Sequence, residues 1–145
     1  FVTLFYGILD PAAQTLTYCN AGHNPPHLVG TLSGYQVRTL GPTGGALGIV
    51  DDWTWEQRTV RLAPGDTLVL YSDGITEAQN AQLSLFGEER LQQVIQAFLG
   101  SPGSKTARAQ GLLDAVLEEV RQHAGDAAQS DDITLMVLAR EPGNA

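Results

Sequence analysis

Residues 66–77 read Asp-Thr-Leu-Val-Leu-Tyr-Ser-Asp-Gly-Ile-Thr-Glu, and two of them invite chemistry. Asp73 offers a carboxylate, and Gly74 lets the backbone turn sharply or approach a ligand closely. The apolar run Leu68-Val69-Leu70-Tyr71 is short, rich in strand formers and bounded by Pro64-Gly65 and Gly74, so it predicts a buried strand that ends on Asp73. A carboxylate at such a tip is poorly hydrated and needs a partner such as a cation. An ordinary Asp-Gly turn after a strand would read the same in isolation. Ser130-Asp131-Asp132-Ile133-Thr134-Leu135-Met136-Val137-Leu138 is the reverse case, with acids opening a strand. If the two strands are antiparallel neighbours, Asp73 and Asp131 meet at one sheet end. Hard divalent cations such as Mg2+ and Mn2+ prefer carboxylate and water oxygens, so this pair is half of a metal site.

Other chemistries fit poorly. A phosphatase built on Cys19 would need an arginine six residues later, where Pro25 stands, and an aspartate nucleophile at Asp73 would need a second Asp at Tyr71. His23 and His27 are four apart, but Pro25-Pro26 between them forbids a helix that would bring both to one zinc ion. Both histidines are read as loop packing or backbone hydrogen-bonding groups. The glycine-rich 41–48 stretch has no Gly-Lys-Ser/Thr and no following helix pattern, so it is read as a surface or cleft-lining loop and not a phosphate loop.

Positioning these acids takes a real core, and 145 residues with 43% hydrophobic and 17% charged residues suit one globular domain. The net charge of −8 and pI near 4.6 argue against nucleic acid or an anionic membrane as partner. A lone cysteine, Cys19, and no apolar stretch long enough to span a bilayer predict a reducing, cytoplasmic setting.

Along the chain, 1–9 is apolar almost throughout, as in a central strand covered on both faces. Asp10-Pro11-Ala12-Ala13 turns it into a hairpin partner at 15–19. The double proline breaks the sheet after Asn20-Ala21-Gly22-His23-Asn24, and a short hairpin around Ser33-Gly34 follows. Strand character returns at 53–62. Beyond Asp73 the period lengthens: Leu91, Val94, Ile95, Phe98 and Leu99 stripe a helix beginning near Gly87, and Leu112, Leu113, Val116, Leu117 and Val120 stripe a second, capped by Ser104. Strands first, then two helices, then a strand at 133–139 predict an α+β fold of mostly antiparallel sheet with helices on one face. The chain opens in mid-strand without a methionine, as expected of a fragment of a longer protein.

Several ordered blocks then carry a resemblance: 1–10, Ala21-Gly22-His23-Asn24-Pro25-Pro26, 65–77, Phe86-Gly87 and Asp131-Asp132-Ile133-Thr134-Leu135. Together they resemble the metal-dependent type 2C protein phosphatases, in particular the branch of stage II sporulation protein E and the stress-sigma-factor regulatory phosphatases. The resemblance implies a four-layer α-β-β-α sandwich of mainly antiparallel sheets, of which 1–140 would be the C-terminal portion and 141–145 a tail. It implies a two-metal Mn2+ or Mg2+ centre with Asp73 and Asp131 as ligands. Asp132 stands where the wider family often has asparagine, and strand alternation would turn it away from Asp131. Asp132 and Gly74 are therefore expected beside the ligands. The family's bridging Asp, followed by Gly-His-Gly, and its regulatory helices would lie upstream of Phe1.

By the same resemblance the reaction is hydrolysis of phosphoserine or phosphothreonine by metal-activated water, with no catalytic side chain of the protein attacking phosphorus. The substrate would be a phosphorylated regulatory protein, an anti-sigma-factor antagonist. A non-catalytic module of the same fold, binding a partner protein, is the competing reading. An incomplete sheet would also expose strand edges and favour self-association.

Overall fold

The computed structural model describes residues 1–32, 34–102 and 107–142. Among these residues seven strands and three helices run β1 (Leu4–Asp10), β2 (Thr15–Ala21), β3 (His27–Gly30), β4 (Gln36–Thr39), β5 (Arg58–Arg61), β6 (Thr67–Tyr71), α1 (Asp73–Thr76), α2 (Glu88–Leu99), α3 (Arg108–Ala124) and β7 (Leu135–Ala139). They form two antiparallel sheets, ordered β1-β2-β5 and β4-β3-β6-β7. The α+β class and the antiparallel pairing are as the sequence predicts.

Side-chain alternation along β6 divides the core in two. Val69 and Tyr71 face α2 and α3, joining Val29, Leu91, Ile95, Leu112 and Val116 in one buried cluster. Leu68 and Leu70 face the other way, packing with Leu16, Tyr18, Leu28, Leu40 and Leu62 between the sheets. The four-stranded sheet is thus covered on both faces. This explains why 68–71 is apolar without a break while the helices show only one apolar stripe.

Three layers result: three-stranded sheet, four-stranded sheet, helices. The fourth layer expected from the resemblance is not formed among the described residues, and the outer face of the three-stranded sheet is bare. The expectation for 1–9 is corrected accordingly. β1 is an edge strand with a single neighbour, β2, and Tyr6 and Ile8 are 57% and 58% exposed. A continuous apolar run signals burial only when something lies on both faces, and nothing described lies on the outer one.

The expected strand at 53–62 shortens to β5. Trp53 and Trp55 instead lie over Gly44 and Gly45, where a β-carbon on Gly44 would stand 2.4 Å from the Trp55 ring; the Trp55 indole N–H donates to the Gly45 carbonyl at 2.8 Å. The 41–48 stretch is accordingly a loop, tied at Gly44 to Ala21 at the end of β2. Helix α2 begins as expected; α3 is preceded by Ala107, and the predicted cap Ser104 lies outside the described residues, as does Ser33 of the β3–β4 turn.

The bare face and free edge of β1 lead to a testable outcome. Light scattering over rising concentration is expected to give a mass above the 15.5 kDa of one chain, and Ile8→Lys, which puts a charge on that edge, is expected to lower it. A wild-type chain that stays monomeric would contradict this.

Candidate functional site

β6 ends at Tyr71, and the extended backbone of Ser72 delivers the chain into the single turn of α1, headed by Asp73. Ser72 makes no cap bond to that turn; its polar groups go to the segment leading into β7. Its N–H donates to the Thr134 carbonyl at 3.0 Å, its hydroxyl donates to the Asp132 carbonyl at 3.1 Å, and the same oxygen accepts the Thr134 N–H at 2.9 Å. Tyr71 pairs with Leu135 in the β6–β7 ladder. The chain ends carrying Asp73 and Asp131-Asp132 are therefore fastened to each other at one end of one sheet, as the sequence predicts.

Gly74 makes the approach possible. A β-carbon there would lie 2.1 Å from the Asp132 carbonyl oxygen, far inside any real contact. Its φ is ordinary, so closeness and not turn geometry is what requires glycine here.

Two expectations are corrected. Asp73 is exposed and opens a helical turn; it is not a dehydrated strand tip, because β6 stops at Tyr71 and Ser72 carries the chain out of the sheet. Asp131 and Asp132 likewise precede β7, which begins at Leu135, so strand alternation does not govern which way each faces. Both are exposed, and the Asp131 carboxylate accepts the Asp132 N–H at 2.8 Å, folding back on its own loop.

Among the described residues no group of three or more His, Cys, Asp or Glu is gathered closely enough to hold a metal ion. Exposed carboxylates on two fastened segments nevertheless supply the oxygen chemistry that hard divalent cations take, and a passage that only glycine fits brings the segments together. These residues fit part of such a centre. His23 is no zinc partner of His27: its Nδ1 lies 3.4 Å from the Thr3 hydroxyl, in a crossover loop anchored by buried Asn20. The Asn20 amide donates to the Leu40 carbonyl at 3.0 Å, and its side-chain oxygen accepts the His23 N–H at 2.8 Å.

His27 has a different place from the loop-packing one expected. It opens β3 on the helix-facing side, is 1% exposed, and stacks on Tyr71 with ring centroids 5.1 Å apart and planes at 5°. Its Nε2 lies 3.2 Å from the Glu88 carboxylate, and the Tyr71 hydroxyl donates to both Glu88 oxygens at 2.8 Å. An ionised carboxylate only accepts, so His27 donates through Nε2–H, leaving Nδ1 as a bare lone pair; that atom is buried without a partner. Burial lowers the His27 pKa below its ordinary 6.5, and the opposing pull of Glu88 does not reverse this. Burial, then the bond to Glu88 and its charge, with a smaller contribution from Asp73, push Tyr71 well above its ordinary value. The sequence hid this trio because its members lie far apart in the chain, and Glu88 reads as an acid suited to a helix start.

Residues 1–141 match the family described as Stage II sporulation protein E (SpoIIE). The chain belongs to that family. Protein IcfG of Synechocystis is 33% identical over 140 residues, covering 97% of this chain and 21% of that protein. Phosphoserine phosphatase RsbU of Bacillus subtilis is 29% identical over 141 residues, covering 97% and 39%. The solved RsbU and RsbW domains of Rv1364c from Mycobacterium tuberculosis superpose with a TM-score of 0.75 at 26% identity, over 98% of this chain and 38% of that one. The phosphatase domain of Bacillus subtilis SpoIIE gives 0.68 at 21% identity, over 100% and 61%, a likeness of fold. The chain thus spans well under half of the curated relatives cited and only part of the SpoIIE-type phosphatase fold.

Two outcomes test the local account. Gly74→Ala is expected to destabilise by about 2 kcal/mol or more, read from urea unfolding, since the added carbon collides with backbone; an unchanged midpoint would refute the close approach. Because the folded His27 holds its proton less readily than the unfolded one, the unfolded chain gains protons first as pH falls through 6.5, so stability is full above that value and shrinks below it. Thermal unfolding between about pH 5 and about pH 7.5 should decline more steeply with acid for the wild type than for His27→Gln; parallel curves would show that His27 is not the titrating group.

Proposed function

We propose that the protein containing this chain is a metal-dependent serine/threonine protein phosphatase that removes phosphate from a phosphoserine or phosphothreonine of a regulatory protein. The observation that carries this reading is the fastening of the Asp73 turn to the Asp131-Asp132 segment through Ser72, joined to membership of the SpoIIE family. That the relative RsbU is a phosphoserine phosphatase supports the substrate class. In this reading 1–140 is the C-terminal portion of one phosphatase domain, a further helical layer covers the bare sheet face, and the setting is cytoplasmic. Among the described residues no helix is long and apolar enough to cross a membrane.

Asp73 and Asp131 hold Mn2+ or Mg2+, with Asp132 and Gly74 shaping the ground beside them. When bound, such cations supply Lewis acidity toward phosphoryl oxygens and lower the pKa of a coordinated water. The chain's own residues orient: Ser72 sets the spacing of the two acidic segments, and Gly74 keeps the passage between them narrow. The substrate is proposed to be a phosphorylated antagonist of an anti-sigma factor, and no nucleic acid or membrane contact is assigned to this segment. A non-catalytic partner-binding role of the same fold is the second reading.

Mn2+-dependent phosphate release from a phosphoprotein by the full-length protein tests the choice. Asp73→Ala or Asp131→Ala is expected to lower it by more than about a hundredfold; activity surviving both replacements would end the assignment. This chain alone is expected to release negligible phosphate and to bind Mn2+ weakly, and tight binding in a calorimetric titration of it would contradict that.

A further inference from the structure

The trio of His27, Tyr71 and Glu88 lies outside the proposed ligand set, yet Tyr71 and Glu88 bracket Asp73 in the chain. Tyr71 is the last residue of β6 and Glu88 is the first residue of α2, so their contact closes the base of the loop 72–87 on which Asp73 rides. Within the loop the same closure is repeated: Gly87 N–H donates to the Thr76 carbonyl and Phe86 N–H to the Ala78 carbonyl, both at 2.8 Å, and Glu77 N–H returns to the Asp73 carbonyl at 2.8 Å. A displacement of the first turn of α2 is thereby passed to Thr76 and to the turn that carries Asp73.

Glu88 is not explained by helix needs alone. Glu89 also supplies negative charge in the first turn of α2, whereas the Glu88 carboxylate receives the Tyr71 hydroxyl and the His27 Nε2 from the sheet. Tyr71 and His27 are 2% and 1% exposed, and the Glu88 side chain 52%. One side of this contact is therefore fixed in the core, and the first residue of α2 is tied to it by charge-assisted bonds, which are stronger than neutral ones.

We propose that Glu88 is a positioning residue for Asp73, holding the loop 72–87 closed against Tyr71 and His27 so that the Asp73 carboxylate stands at a fixed place beside Asp131. This rests on the phosphatase reading for its catalytic meaning but not for its structural content. In Tyr71→Phe the half-exposed Glu88 carboxylate is left to water, so the fold survives while the loop loosens, whereas Glu88→Ala also leaves the buried Tyr71 hydroxyl and His27 Nε2–H without their acceptor. Metal affinity then falls while the rate at saturating metal changes little.

The test uses the full-length protein with Tyr71→Phe, Glu88→Ala and Glu88→Gln. Free Mn2+ is followed by electron paramagnetic resonance, with phosphate release and amide hydrogen exchange measured alongside. Tyr71→Phe and Glu88→Ala are expected to raise the half-saturating Mn2+ concentration about tenfold, as for loss of an outer partner of a metal ligand, with the saturated rate within about threefold of wild type. Glu88→Gln, whose amide oxygen still accepts the Tyr71 hydroxyl, should restore most of the affinity. Exchange should quicken in 72–87 and stay unchanged in α3 and β2. Unchanged Mn2+ affinity in Glu88→Ala, or exchange that quickens throughout the chain, would overturn the inference. If the wild type releases no phosphate at all, the phosphatase reading fails by itself, and exchange confined to 72–87 still decides for the clasp, as unchanged exchange decides against it.

Discussion

The antiparallel seam between β6 and β7, extended past its ladder by the Ser72 hydroxyl, is the constraint on which the rest depends. The ladder ends at the pair Tyr71 and Leu135, and ordinary strand ends would splay there. One serine oxygen that donates to Asp132 and accepts from Thr134 keeps the two chains together for several residues more. Acids from distant parts of the sequence thus share one end of the molecule, although the helices α2 and α3 lie between them in the chain. The packing of those helices over Val69 and Tyr71 keeps β6 in the middle of its sheet.

Much of this was legible in the residues. The unbroken apolar run at 68–71 announced a buried strand, and the stripes of Leu91, Ile95 and Leu99 and of Leu112, Val116 and Val120 announced helices. That the Asp73 turn and the Asp131-Asp132 segment lie at one end of the sheet was legible from strand polarity, whereas their fastening through Ser72 was not. The order of elements was enough to predict an antiparallel α+β fold. What failed was burial at β1 and at the strand tip, since periodicity reports what a segment could bury and not whether a neighbour is present to bury it.

The polar trio stayed hidden for a different reason. A histidine after two prolines, a tyrosine ending a strand and a glutamate starting a helix each have a local explanation, and each explanation is sufficient in its own window. Only tertiary placement shows that the three meet, with β3 and β6 side by side and α2 crossing their helix-facing side. Irregular connections were hard to read for the same reason. The Trp53 and Trp55 alternation suggested a strand, yet the rings are occupied by a glycine loop that leaves room for them.

That last arrangement has an optical consequence. Both tryptophans of the chain sit over Gly44 and Gly45, beside the end of β2 where the chain crosses from one sheet to the other. Indole emission from this protein is therefore a local signal, sensitive to the polarity and order of one loop and largely blind to the helical layer. A fluorescence trace and a circular-dichroism trace of the same sample follow different parts of the molecule, and any lag between them reads out how tightly the two sheets melt together.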